Sequence, residues 1–217
     1  MAPYLDDRFA NASSLYAAAR EARKAVEEAR EIVAAAVGAR PDEVVFTSGG
    51  TEADNLAIIG AALAARDRGG PFRVAVSATE HKAALAAAHA VKHLGGDEVI
   101  LPVTASGQVE RESLDKVLEH GVAVVSVMWA NNEVGTLQPV GALASRCCDA
   151  GVLFHSDAVQ AFGKVPVSLR DVNCTFLTIS GHKIGAPKGV GALIVRDRTA
   201  VEAIIHGGGQ QFGIRPG

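Results

Sequence analysis

Val44-Val45-Phe46-Thr47-Ser48-Gly49-Gly50-Thr51-Glu52 joins four strand-prone residues to a turn freed by paired glycines and then to the start of a helix spanning 51–66. β-branched and aromatic residues fit a pleated, buried strand, and the alanine-rich body that follows favours a helix. The same alternation continues to the end of the chain. Short apolar runs fall at 73–77, 98–103, 122–127, 152–155, 174–179 and 190–195, with helical stretches at 81–93, 111–119 and 140–150. Strands that are apolar on both faces and separated by helices predict an α/β fold, with a mostly parallel (mixed) central sheet covered by helices on both sides. In such sheets ligands bind where strands end and the next loops converge. The residues just after the strands therefore carry the functional information.

Upstream, Ser13 or Ser14 is expected to cap a helix running to Val37. Leu15, Ala18, Ala22, Val26, Ala29, Val33 and Val37 recur at steps of three or four and so share one face. Gly38 and Pro41 mark its end. The 217 residues, 48% hydrophobic and 21% charged, suffice for one domain with a sizeable core. A net charge of −3 gives no basic excess for nucleic acid. No apolar run is long enough for a membrane span, and residues 1–11 lack the apolar segment of a secretory signal, so no membrane partner and a cytoplasmic location are expected. Cys147, Cys148 and Cys174 form no disulfide framework, and no Cys/His cluster has zinc spacing, so no metal is expected. The first two are expected on a helix and the third in a strand.

Five stretches carry the candidate chemistry, and each has a plainer alternative. The turn at Gly49-Gly50-Thr51 opens a helix whose N–H groups favour an anion such as phosphate, or is simply a turn with Thr51 as N-cap. His81 follows the second strand, where it either stacks on a ring and moves protons or is an ordinary surface histidine. Asn131 and Asn132 follow another strand, as ligand-binding amides or as turn formers. Asp157 ends a buried strand, where its charge needs a cationic partner such as a protonated pyridine nitrogen; otherwise it caps the next turn. Gln160 lies three residues on. Ser180-Gly181-His182-Lys183 ends the strand at 174–179. A lysine held there would lose hydration, lowering its pKa and making the amine nucleophilic toward aldehydes; the alternative is a loop lysine with a solvated head. As a set, these residues are what pyridoxal 5'-phosphate (PLP) requires.

Phe46-Thr47-Ser48-Gly49-Gly50-Thr51-Glu52-Ala53-Asp54-Asn55, Thr79-Glu80-His81-Lys82, Asn131-Asn132-Glu133-Val134-Gly135, His155-Ser156-Asp157-Ala158-Val159-Gln160, Ser180-Gly181-His182-Lys183 and the loop from His206 to Gly217 occur in order over nearly the whole chain. In this the chain resembles the cysteine desulfurase and selenocysteine lyase family, part of the class V aminotransferase group of fold-type-I PLP enzymes. The resemblance implies that Lys183 holds PLP as a Schiff base and moves protons. It implies that Gly50, Thr51, Ser180 and His182 bind the phosphate, that Asp157 pairs with the pyridine nitrogen, that Gln160 and Asn132 address the ring's phenolic oxygen, and that His81 stacks on the ring as an acid–base. It further implies release of sulfur from L-cysteine, or selenium from L-selenocysteine, leaving L-alanine. A homodimer, and a sulfur-acceptor protein serving iron–sulfur cluster assembly or tRNA thiolation, come with the cysteine-using members.

Two departures bear on this. Phe9-Ala10-Asn11-Ala12-Ser13-Ser14 fits a family stretch that normally comes later, and the chain stops at Gly217, where the family continues into a smaller domain. Residues 1–217 thus read as one PLP-binding large domain, incomplete at both ends. The family's mobile cysteine loop and substrate-clamping arginine belong to that smaller domain, so this chain alone is expected to desulfurate poorly. A selenocysteine lyase and a non-catalytic protein of the same fold remain as alternatives.

Overall fold

The computed structural model describes residues 2–217. Helices α1 (Ala17–Val37), α2 (Gly50–Asp67), α3 (Lys82–His93), α4 (Arg111–Glu119) and α5 (Val140–Asp149) alternate with strands β1 (Val44–Thr47), β2 (Arg73–Ser77), β3 (Asp97–Leu101), β4 (Val124–Ser126), β5 (Leu153–Asp157), β6 (Phe176–Ser180) and β7 (Gly191–Val195). The strands form one sheet in the order β1-β7-β6-β5-β4-β2-β3. Pairing is parallel from β3 through β6, and β7 is antiparallel to both its neighbours. Only residues 181–190 separate β6 from β7. So short a link cannot make the crossover that parallel neighbours need, so the chain turns back beside β6. The turn-back places residues 181–190 at the same sheet edge as the ends of β5 and β6.

Both faces of the sheet are covered, as the continuous apolar strands require. One core layer packs α1, α4 and α5 through Ala34, Val37, Leu114, Leu143 and Phe154. The other packs α2 and α3 through Leu56, Ile58, Ala61, Ala87, Val91 and Phe176. The small side chains of this second layer let α2 and α3 lie close to the sheet. At Gly60 a Cβ would stand 2.5 Å from the Glu202 carbonyl oxygen, so only glycine admits the segment after β7 against α2.

The first helix departs from expectation. It starts at Ala17 after Tyr16, which makes no side-chain cap, rather than at Ser13 or Ser14. Gly38 does end it in the left-handed conformation, at φ 71°. Its buried face is Ala19, Ala22, Arg30, Ala34 and Val37, whereas Leu15 is 84% exposed. The offset has a physical cause in Arg30. Its guanidinium lies 4.9 Å from the ring centres of both Phe46 and Phe212, contacts the Val44 carbonyl, and is paired with Glu27 at 3.1 Å. Arg30 thus fastens edge strand β1 and the C-terminal loop to α1. Arg30→Ala is expected to lower unfolding free energy by about 2–3 kcal/mol, because a buried carbonyl loses its charged donor and two rings lose their cation. Urea denaturation checks it. A change below about 0.5 kcal/mol, the scale of an ordinary surface substitution, would contradict it.

Cys174 lies just before β6 rather than within it, while Cys147 and Cys148 are on α5 as expected. Among the described residues no helix is long and apolar enough to cross a membrane.

Candidate active site

The C-terminal ends of β1, β2, β4, β5 and β6 converge on a cavity of about 420 Å³, a size typical of small-molecule sites. All nine residues singled out from the sequence line it: Gly50, Thr51, His81, Asn132, Asp157, Gln160, Ser180, His182 and Lys183.

The glycine turn forms one wall. Helix α2 begins at Gly50 with Gly49 in the cap position and no side-chain cap, so Thr51 is not the N-cap and its exposed hydroxyl is unspent. The first backbone bond of the helix runs from the Ala53 N–H to the Gly49 oxygen. The N–H groups of Gly50, Thr51 and Glu52 therefore lack intrahelical acceptors and suit an anion. Close packing demands glycine on both sides of the turn: a Cβ on Gly50 would lie 2.9 Å from Val159 Cγ2, and one on Gly191 would lie 2.7 Å from Gly49 Cα. Glu52 clamps the turn, accepting from the Ser48 N–H at 2.8 Å and from Arg215 Nε at 2.6 Å. Burial works to raise the Glu52 pKa, but hydrogen bonds from Arg215 and Ser48 outweigh it and hold this carboxyl below its ordinary value.

His81 is the N-cap of α3, its Nδ1 accepting from the Ala83 N–H at 3.1 Å. This fixes the neutral ring with its proton on Nε2. The two asparagines divide their work. Asn131 builds the turn, accepting from the N–H groups of Glu133 and Val134 at 2.8 and 2.9 Å and donating to the Thr79 carbonyl. Asn132 is exposed and lines the cavity.

Asp157 is 5% exposed, and its Oδ1 accepts from the Val159 N–H at 2.8 Å. It thus caps a turn and faces the cavity, so its two readings are compatible. Burial raises its pKa, and the Val159 hydrogen bond works against that rise. Gln160 accepts from Lys164 Nζ at 2.6 Å through Oε1, which leaves its amide nitrogen for the cavity. Ser180 Oγ and His182 Nδ1 lie 2.9 Å apart.

Lys183 corrects one expectation. The chain leaves the buried strand at Ser180 into a 3-10 turn, Gly181–Ile184, and that turn carries the lysine out of the core into an exposed position at the cavity. The desolvation expected at a strand end is absent. Lys183 is nonetheless the one lysine lining the cavity among the described residues.

Among the cavity residues given no role from the sequence are Asp54, Glu52 and Met128. Asp54 stands three residues after Thr51, on the same face of α2, and is the one carboxylate within a run of Ala, Leu and Ile. That spacing was the available signal. Glu80 lies beside them, 7% exposed, with Oε1 accepting from the Met128 N–H at 2.5 Å.

Residues 1–213 match the family described as aminotransferase class-V. The chain is 42% identical over its whole length to the cysteine desulfurase IscS of Dictyoglomus turgidum, of which it covers 55%. It is 44% identical over 212 residues to the IscS-like cysteine desulfurase of Mycobacterium tuberculosis, covering 54% of that protein. Among solved structures, a NifS-like protein superposes with a TM-score of 0.93 at 35% identity, over 100% of this chain and 59% of the other. The chain thus spans about 55% of the length of the curated relatives it matches. The sheet with its flanking helices has the same fold as the corresponding part of such enzymes. The chain belongs to the class-V aminotransferase family.

Proposed function

We propose that this chain is the PLP-binding part of a cysteine desulfurase, which takes sulfur from L-cysteine and leaves L-alanine. The observation that carries the proposal is the composition of one cavity: a helix start free to bind an anion, a buried carboxylate at the end of β5, and a single lysine amine. The donor set fits PLP. The phosphate has N–H and hydroxyl donors, the pyridinium has an anion in Asp157, and the aldehyde has an amine. The orphaned oxygen of Asp54 adds a polar atom without a protein partner. The relatives named as cysteine desulfurases, and a solved SspA structure in complex with cysteine (TM-score 0.89, 37% identity), support the choice of substrate.

PLP, when bound, supplies a ring that accepts the electron pair released at the substrate's Cα. In this reading, Gly50, Thr51, Ser180 and His182 bind the phosphate. Asp157 holds the proton on the ring nitrogen, and Gln160 and Asn132 orient the phenolic oxygen. His81, with its proton on Nε2, stacks on the ring and offers that proton. Lys183 Nζ anchors the aldehyde carbon and moves protons at the substrate.

The sulfur-accepting thiol comes from elsewhere, because none of the three cysteines lines the cavity. Cys147 and Cys174 are buried, and burial pushes both thiols up to about 12, which keeps them protonated and inert. A homodimer, a sulfur-acceptor protein in iron–sulfur assembly or tRNA thiolation, and a cytoplasmic location belong to the same proposal. The test adds L-cysteine, with dithiothreitol as the thiol that accepts and reduces the released sulfur, to the PLP-loaded chain and follows its visible spectrum and alanine formation. L-cysteine is expected to change the spectrum and give slow alanine production, with D-cysteine inert. No response to L-cysteine would overturn the reading.

A further inference from the structure

Behind the cavity, between α2 and the sheet, lies a buried polar column that binding PLP does not explain. Ser126 Oγ is 2.8 Å from His155 Nδ1, and His155 Nε2 is 3.0 Å from Thr178 Oγ1. The Asp54 carboxyl lies beside this column, 3.7 Å from His155 Nε2. All four residues are within 1% of fully buried. Burial holds the His155 pKa down to about 3, so its ring is neutral. The neutral ring donates through one nitrogen and accepts through the other, and the Ser126 and Thr178 hydroxyls can serve either role, so the column is satisfied without a charge.

The column ends at Asp54 Oδ1, a buried atom on the cavity wall with no hydrogen-bond partner and 3.7 Å from the uncharged His155 Nε2. An ionised carboxylate in that place would have no counter-charge. The other ionisable groups around it are Asp157 and His155 on β5, Glu80 and His81 after β2, and Lys183 at the cavity. Of these, Asp157 would repel a second anion, while burial raises the Glu80 carboxyl well above its ordinary value. Two buried carboxylates lining one cavity cannot both ionise cheaply.

We propose that Asp54 is the proton-bearing member of the Asp54–Asp157 pair, a positioning residue that leaves Asp157 as the one anion for the ring nitrogen. The sequence Thr51-Glu52-Ala53-Asp54 allows one helical turn to do two jobs: its start faces the anion end of the cavity, and its fourth residue sets the charge of the carboxylate pair. Asp54 keeps its proton chiefly through burial, and next through the Asp157 charge, both of which raise its pKa well above the ordinary value.

The role of Asp54 toward the ring rests on the PLP reading above, but its protonation does not, and the experiment separates them. The first arm uses the cofactor-free chain and compares folding equilibria of the wild type and Asp54→Asn from pH 4.5 upward. A carboxyl with a raised folded pKa stabilises the fold below its unfolded pKa of about 3.9, and that stability is lost as pH rises toward the folded pKa. Asparagine does not titrate. The folding constant of Asp54→Asn relative to wild type is therefore expected to climb about tenfold per pH unit until the folded pKa of Asp54 is reached. A flat ratio from pH 4.5 to 9 would overturn the proposal.

The second arm titrates the visible band of the PLP-loaded protein with pH. Asp54→Asn, neutral and of the same shape, is expected to keep the wild-type midpoint. Asp54→Ala, which leaves Asp157 without its neighbour, is expected to shift it by about half a pH unit or more. Equal midpoints in all three proteins would show that Asp54 does not act through Asp157. A wild-type chain that takes up no PLP would refute the cofactor reading, and the assignment of the proton to Asp54 would then be decided by the first arm.

Discussion

Lys183→Ala is expected to abolish covalent retention of PLP and to lower L-cysteine turnover by about 10²–10⁴-fold, the range for loss of a positioned proton-transfer group. The expectation follows from placement. Lys183 is the one lysine lining the cavity among the described residues, on the turn that the reversal of β7 holds beside the end of β5. Lys164 is already bonded to Gln160, and Lys188 does not line the cavity, so neither replaces it. Lys183 is exposed, and Gly181–Ile184 is a surface turn, so the substitution leaves the core intact and the protein should remain folded. PLP held by its phosphate and ring alone should be removed by gel filtration far more readily than from the wild type. Retention of a borohydride-reducible link in Lys183→Ala would contradict the assignment.

Asp157→Asn should leave PLP bound and turnover lower by about 10²–10³-fold. The substitution preserves the oxygen that accepts from the Val159 N–H, so the turn after β5 is unaffected. It removes only the charge. Breaking a buried charged pair costs about 3–5 kcal/mol. Where that pairing stabilises the transition state, such a cost is about 10²–10³-fold or more in rate. Steady-state kinetics should show the loss in kcat, with KM little changed, because Asp157 serves the ring and not the substrate. Turnover within threefold of wild type would refute the role.

Much of this site was legible before any coordinates. Strands β1 and β2 have the boundaries their apolar runs predict. The nine candidate residues share the cavity because each ends or follows a strand, and a mostly parallel sheet brings strand ends to one edge whatever the strand order. The rest depended on distant parts of the chain. The buried face of α1 is set by Arg30 reaching Phe212, a residue of the far C-terminal loop, which periodicity within α1 cannot encode. The reversal of β7 follows from the short link after β6, a clue present in the sequence but not decisive without knowing that the two strands pair. The loss of hydration expected of Lys183 at a strand end does not occur, because the chain leaves the sheet in a 3-10 turn after Ser180 and the solvated alternative holds. Asp54 acquires meaning only when α2 is laid over β5 and β6, where His155 and Thr178 wait beneath it.

The central claim is that this cavity carries PLP on Lys183. Incubating the chain with PLP, reducing with borohydride and mapping the modified peptide by mass spectrometry tests it most directly. One pyridoxyl group per chain is expected, on the peptide containing Lys183. Modification centred on Lys164 or Lys188, or spread evenly over surface lysines, would contradict it.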